Sequence, residues 1–146
     1  MADTNQVKDM HFIVFLINNQ LYSFSIEQVV EILRVPEITG IPGIHPVIDG
    51  VINLRGSIIP VVNLHKRFQL PTPERNKKNR IVIVQGKNEN IGLMVEEVKM
   101  VTKFDIGAIE PTSGDTDEKD LFIGFAKMDG QVIGILNLEK VLYDLP

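Results

Sequence analysis

The stretch "GVINLRGSIIPVVNLHKRF", residues 50–68, lies without gaps on "GFAKMDGQVIGILNLEKVL", residues 124–142. Identical in both are Gly50/Gly124, Gly56/Gly130, Ile59/Ile133, Asn63/Asn137, Leu64/Leu138 and Lys66/Lys140. Each copy reads as two apolar strands around a tight turn, with Arg55–Gly56 or Asp129–Gly130 at the corner. Asn63 and Asn137 then stand where an N-cap starts a short helix, packed through Leu64 and Phe68 in one copy and Leu138, Val141 and Leu142 in the other. Further upstream, residues 12–35 match residues 81–104 more weakly, keeping Asn19/Asn88, Glu27/Glu96 and Val29/Val98. The offset grows from 69 to 74 between the two matches, so the second copy carries about five extra residues in its middle.

Both copies share one internal grammar. "FIVFLI" is a buried strand, Asn18 and Asn19 make a turn, and "LYSFSI" alternates, with Tyr22, Phe24 and Ile26 on one face; Ile91, Leu93 and Val95 take that face in the second copy. Ser25 and Gln28 have capping-box spacing, which predicts one helical turn before the chain extends again through Ile32, Leu33 and Val35. Pro60 inside a strand points to an edge or a bulge, and Gly134 is a strand breaker at the equivalent place. Five short strands and a closing helical turn make the inventory of a small barrel. A copy of about sixty residues has a marginal core alone, so the expectation is one all-β domain over residues 1–146 made of two packed barrels with short helices. Its subdomains run from about 12 to 68 and from about 81 to 142. The proline-containing, charged "QLPTPERNKKNR", residues 69–80, is the linker between them.

Composition narrows the function. The chain has 146 residues, 44% of them apolar and 23% charged, as in an ordinary globular domain. The longest apolar run is Phe12 to Ile17, where a membrane span needs about twenty residues, and the N-terminus lacks the regions of a signal peptide; no membrane insertion and a cytoplasmic location are expected. Cysteine is absent, which removes thiol catalysis, disulfides and Cys-ligated zinc. A net charge of −4 opposes nucleic acid as the main partner, and "ERNKKNR" has no aromatic residue on which a base could stack. No phosphate-binding glycine loop or nucleophile elbow occurs. His11, His45 and His65 are too scattered for a metal site and read as surface or loop residues. "DTDEKD", residues 115–120, lacks the central Gly and closing Glu of a calcium loop and reads as a solvated loop. No catalytic residue, metal or cofactor is therefore assigned.

Arg55 is the anomaly. A two-residue hairpin turn needs φ > 0 at both central positions, which favours Asn or Asp before Gly; the second copy has Asp129 there, the first a long arginine. Either Arg55 is a solvated turn residue of little consequence, or the strain is kept because a guanidinium is needed at that corner. Turn chemistry leaves both open.

"GVINLRGSIIPVVNL" resembles the signature of the CheW-type coupling proteins of bacterial and archaeal chemotaxis, and "FIVFLINNQLYSFSIEQVVEILRVPEITGIP" is similar to that family's opening segment. The resemblance continues through "IGLMVEEV" and "GFAKMDGQVIGILNLEKVL", covering about residues 12–143. Asn63 stands where the family often has Asp, and His65, on the helix surface, where it often has Arg. The resemblance implies two five-stranded SH3-like barrels without catalytic activity. It also implies an adaptor that binds the cytoplasmic helical tip of chemoreceptors and the regulatory domain of the chemotaxis histidine kinase, in the cytoplasm beside membrane-bound receptor arrays, and that is a monomer alone. On the matching positions, Val29, Glu31, Gly50, Asn53, Arg55 and Gly56 become partner-binding residues, with Arg55 presenting its donor fork to polar groups of the receptor tip or to Glu31, and Val29 supplying apolar contact. The chain's limits, Met1 about ten residues before the first strand and an end just after the last helical turn, favour a stand-alone adaptor over the same domain in a larger signalling protein. A small-barrel nucleic-acid-binding protein is the remaining alternative.

Overall fold

The apolar run at the start forms β1 (His11–Ile17), which turns through Asn18 and Asn19, both in the left-handed region at φ 53° and 61°, into β2 (Gln20–Ser25). The expected helical turn, a 3-10 turn over Ile26–Gln28, follows; the Ser25 hydroxyl accepts from the Glu27 N–H at 3.3 Å, one residue before the Gln28 of the capping-box spacing. Next come β3 (Val29–Arg34), β4 (Ile48–Leu54), β5 (Ser57–Asn63) and the four-residue helix α1 (Leu64–Arg67). The second half repeats the series with β6 (Arg80–Gln85), β7 (Asn90–Val95), β8 (Glu97–Lys103), the short β9 (Glu110–Pro111), β10 (Phe122–Met128), β11 (Gln131–Leu136) and helix α2 (Leu138–Tyr143). Both helices start at the expected caps: Asn63 Oδ1 accepts from the Lys66 N–H at 3.1 Å and Asn137 Oδ1 from the Lys140 N–H at 3.3 Å. This computed structural model describes residues 10–104, 110–111 and 121–143, so the 115–120 stretch compared with a calcium loop lies outside the described residues.

The protein is mostly β, as expected, but its sheets do not follow the two copies. One sheet has the order β8-β1-β2-β11-β10-β9, the other β3-β6-β7-β5-β4. Each takes its β1–β2-type hairpin from one copy and its remaining strands from the other. The seams are parallel ladders, β2 on β11 (Leu21 opposite Ile133, Ser23 opposite Ile135) and β7 on β5 (Gly92 opposite Val61, Met94 opposite Asn63). The cores obey the same exchange. Phe12, Val14, Ala126, Ile133 and Ile135 pack together with Phe104 in the first sheet, while their repeat equivalents Ile81, Ile83, Ile52, Ile59 and Val61 pack with Met94 in the second.

The boundaries drawn at 12–68 and 81–142 are thereby corrected. Of the described residues, those up to Glu27 and from Lys99 onward form one unit, Gln28–Val98 the other. The reason is connection length. Only Glu96 lies between β7 and β8, and one residue cannot close an antiparallel hairpin, so β8 has to leave the sheet of β7 and pairs beside β1 instead. Segment 69–80 accordingly links no two barrels; it lies within the 28–98 unit, pinned by the Leu70 N–H on His65 O (2.8 Å) and by Asn79 Nδ2 on Glu96 O (2.9 Å). Among the described residues, backbone ladders do not close either sheet into a ring either, so the expected barrels are open, with six strands in one sheet and five in the other.

Pro60 lies in β5, an inner strand, but the ladder to β7 begins only at Val61, so the missing N–H interrupts nothing. At the equivalent place Gly134 has a different cause: a Cβ there would come within 2.7 Å of the Phe122 ring, which stacks on Tyr22 at 6.1 Å between centroids. Among the described residues no helix is long and apolar enough to cross a membrane.

Register shifts at Ile48/Gly50 and Phe122/Gly124 mark bulges at equivalent places in the two copies. At Gly50 (φ 150°) a Cβ would sit 2.2 Å from the carbonyl oxygen of Thr39, whose backbone bridges Val51. Gly50→Ala is therefore expected to destabilise the protein by roughly 3 kcal/mol or more, backbone strain adding to a clash that cannot relax. Gly56→Ala, with nothing near its Cβ and only the left-handed φ against it, is expected to cost about 1–2 kcal/mol. Urea unfolding of the two variants checks the order; equal losses would mean that close approach at Gly50 is unimportant.

Candidate functional site

Strand β4 turns into β5 through Arg55 (φ 50°) and Gly56 (φ 89°), with Leu54 opposite Ser57. Asp129 (φ 51°) and Gly130 (φ 79°) repeat this geometry in the other hairpin. Arg55 thus occupies a conformation that an ordinary side chain pays about 1–2 kcal/mol to adopt. Outside the turn, Asn53 Oδ1 accepts from the Gly56 N–H at 3.0 Å.

The guanidinium of Arg55 makes a two-pronged contact with Glu31: Nη2 to Oε1 at 2.5 Å and Nη1 to Oε2 at 3.3 Å. Glu31 lies on β3 and Arg55 at the tip of β4, the two outer strands of the five-stranded sheet, so the ion pair joins edges that no backbone ladder joins. A bulge prepares it. Val29 is opposite Val84 and Glu31 opposite Ile83, which leaves Val30 unpaired and re-aims Glu31. The Arg55 side chain is 68% exposed and that of Glu31 30%, so solvent screens the attraction and the pair does little for stability. What it does is hold a planar donor fork at a fixed place on the surface.

Of the residues expected to meet partners, Glu31, Asn53, Arg55 and Gly56 are thus linked by direct bonds. Val29 is half-buried on the near side of the bulge, one residue removed from Glu31. Gly50 stands apart: it is buried at the other end of β4, where its part is the backbone approach to Thr39. The structure adds two apolar neighbours in sequence that were not singled out, Val30 (51% exposed) and Ile58 (63% exposed, opposite Asn53). The pair Ile58–Ile59 carries a signal for the second, since with a period of two only one of them can face the core.

A cavity of about 350 Å³ in the same unit is lined by Asp49, Asn63, His65, Lys66, Thr72, Arg75, Asn79 and Glu96 with Ile38, Pro73, Met94 and Val95. Neither Arg55 nor Glu31 borders it. His65, expected at the surface, is buried as the second residue of α1, with Nε2 2.6 Å from Glu96 Oε1. Asp49 accepts from Asn63 Nδ2 (3.0 Å) and from Lys66 Nζ (2.9 Å), so these lining groups satisfy one another. His11 is exposed and His45 half-buried. Among the described residues no three His, Asp or Glu side chains gather as a metal site.

The Arg55 fork holds the Glu31 carboxyl below its ordinary pKa, first through the hydrogen bond and then through charge attraction. A lowered folded value means that the pair contributes above the ordinary carboxylate range and is lost as pH falls through the lowered value. Titration of the Glu31 carboxyl by NMR is expected to show a depressed midpoint in the wild type, restored to that of an ordinary glutamate in Arg55→Ala. An unchanged midpoint would mean that the pair does not persist in solution.

Comparison with known proteins bears on this surface. The family model described as CheW-like domain matches residues 11–145. The chain is similar to the chemotaxis protein CheW of Bacillus subtilis, 34% identical over 89% of this chain and 85% of that protein. It is likewise similar to the chemotaxis protein CheW of Thermotoga maritima, 28% identical over 95% and 91%. Among solved structures, the scaffolding protein TtCheW from Thermoanaerobacter tengcongensis superposes with a TM-score of 0.85 at 36% identity, covering 92% of each chain.

Proposed function

Since this chain belongs to the CheW-like domain family, we propose that it is a chemotaxis adaptor that performs no chemistry of its own. In this reading it binds the cytoplasmic tip of transmembrane chemoreceptors and the regulatory domain of the chemotaxis histidine kinase. It works in the cytoplasm beside the receptor arrays, and alone it is a monomer. Coupling is then a matter of geometry and binding energy. The adaptor holds the kinase beside the receptor, and a change in the receptor tip alters what the kinase feels, while phosphoryl transfer remains the kinase's own reaction.

The observation that carries this reading is the exposed Arg55 fork, held in a strained turn by Glu31. A residue that contributes little to stability at a strained position is a candidate for a contact outside the molecule. Arginine is also enriched among residues that dominate interfaces, since its planar fork matches carboxylates and carbonyls of a partner helix. Glu31 shares the fork, Val29 supplies apolar contact, and Gly56 gives the turn its second left-handed residue. Gly50 supports the surface from behind by letting segment 38–39 lie against β4.

The test is binding of the full chain to a cognate receptor cytoplasmic fragment and, separately, to the kinase regulatory domain. Wild type is expected to bind both, and Arg55→Ala to bind the receptor fragment at least about fivefold more weakly with its circular dichroism unchanged. Unaltered binding would return Arg55 to a simple turn residue. Failure of the wild type to bind either cognate partner would overturn the adaptor reading itself.

A further inference from the structure

We infer that Asn53 is a positioning residue for Arg55: by accepting the Gly56 N–H it fixes the hairpin tip so that the guanidinium fork stays on Glu31. In a two-residue turn the closing bond runs between the residues flanking it, here Leu54 and Ser57, and the N–H of the second turn residue has no carbonyl across the ladder. Asn53 Oδ1, at 3.0 Å, supplies the missing acceptor from the strand side. This bond matters because Arg55 contributes nothing of its own to the turn. Asn or Asp at that place would tolerate the left-handed region and bond the local backbone; a long guanidinium, committed to Glu31, does neither.

The second hairpin serves as an internal control. It has the same turn, with φ 51° and 79°, but places Asp129 where the first has Arg55, and Lys127 where the first has Asn53. Lysine offers no acceptor. The outside brace is thus present where the turn residue is poor and absent where it is good. Asn53 is itself exposed, and Ile58, opposite it, is among the most exposed apolar residues of the chain, so the bond is not a by-product of core packing.

The inference rests on the adaptor reading only for its effect on binding, and the experiment keeps the two apart. In the full chain without any partner, Asn53→Ala is expected to move the Glu31 titration midpoint part of the way toward that of Arg55→Ala. Asn53→Ser, an uncharged and shorter acceptor, is expected to recover part of that change. A Glu31 midpoint unmoved by Asn53→Ala would overturn the inference, whatever happens to melting temperature.

With the receptor fragment, Asn53→Ala is expected to weaken binding roughly three- to fivefold, as loss of one hydrogen bond would. Added to Arg55→Ala it should cost nothing more, because Asn53 acts through Arg55. Losses that simply add would make Asn53 a contact residue in its own right and overturn the positioning role. A fragment that does not bind wild type would count against the adaptor reading alone, and the Glu31 titration would still decide the inference.

Discussion

A single residue, Glu96, lies between β7 and β8, and the exchange of strands between the sheets follows from that short link. Strands joined so tightly cannot fold back on each other, so the third strand of a copy must be delivered to a different sheet from the first two. Once it is, the remaining strands sort by the same rule. The fifth strand of each copy lies parallel to the second strand of the other, and the two cores fill with equivalent residues drawn crosswise. In the first copy the connection is the three-residue 3-10 turn Ile26–Gln28, held by a bond to Ser25, and β3 likewise pairs in the other sheet.

Much of this was legible in the sequence because it is local. The Asn63 and Asn137 caps, the turns at Arg55 and Asp129 and the strand at Phe12–Ile17 depend on residues a few places apart, and those were read correctly. The exchange was not legible, since β1–β2 and β6–β7 carry the same apolar pattern and either could lie beside either fifth strand. What distinguishes the two pairings is a connection length, which a residue pattern does not display. His65 was misplaced for a related reason. Its burial depends on Glu96, thirty-one residues away, and nothing near position 65 announces an acidic partner. Arg55 and Glu31 were named together only through resemblance; the bulge at Val30 that turns Glu31 toward the hairpin has no sequence mark.

The two hairpins show one backbone shape built from two different residue choices. Asp129–Gly130 has the residues the turn prefers, while Arg55–Gly56 keeps the backbone shape with a residue that disfavours it. Around the disfavoured residue stand a bulge that aims its partner and an asparagine that braces its turn. Neither is needed to form a sheet. Together they set an exposed cation in one orientation, which is the property an interaction surface requires and a stability argument does not explain.

The exchange also orders events during synthesis. The five-stranded sheet has all its strands by Val95, so it can complete itself while the C-terminal third of the chain is still being made. The β1–β2 hairpin, although made first, has its parallel partner β11 only at Gln131–Leu136, more than a hundred residues later. The earliest-made residues therefore finish last. Through that interval β2 exposes an unpaired edge and the apolar side chains of Phe12 and Val14 lack their mates Ile133 and Ile135, the conditions under which a nascent chain recruits chaperones or pairs with a neighbour.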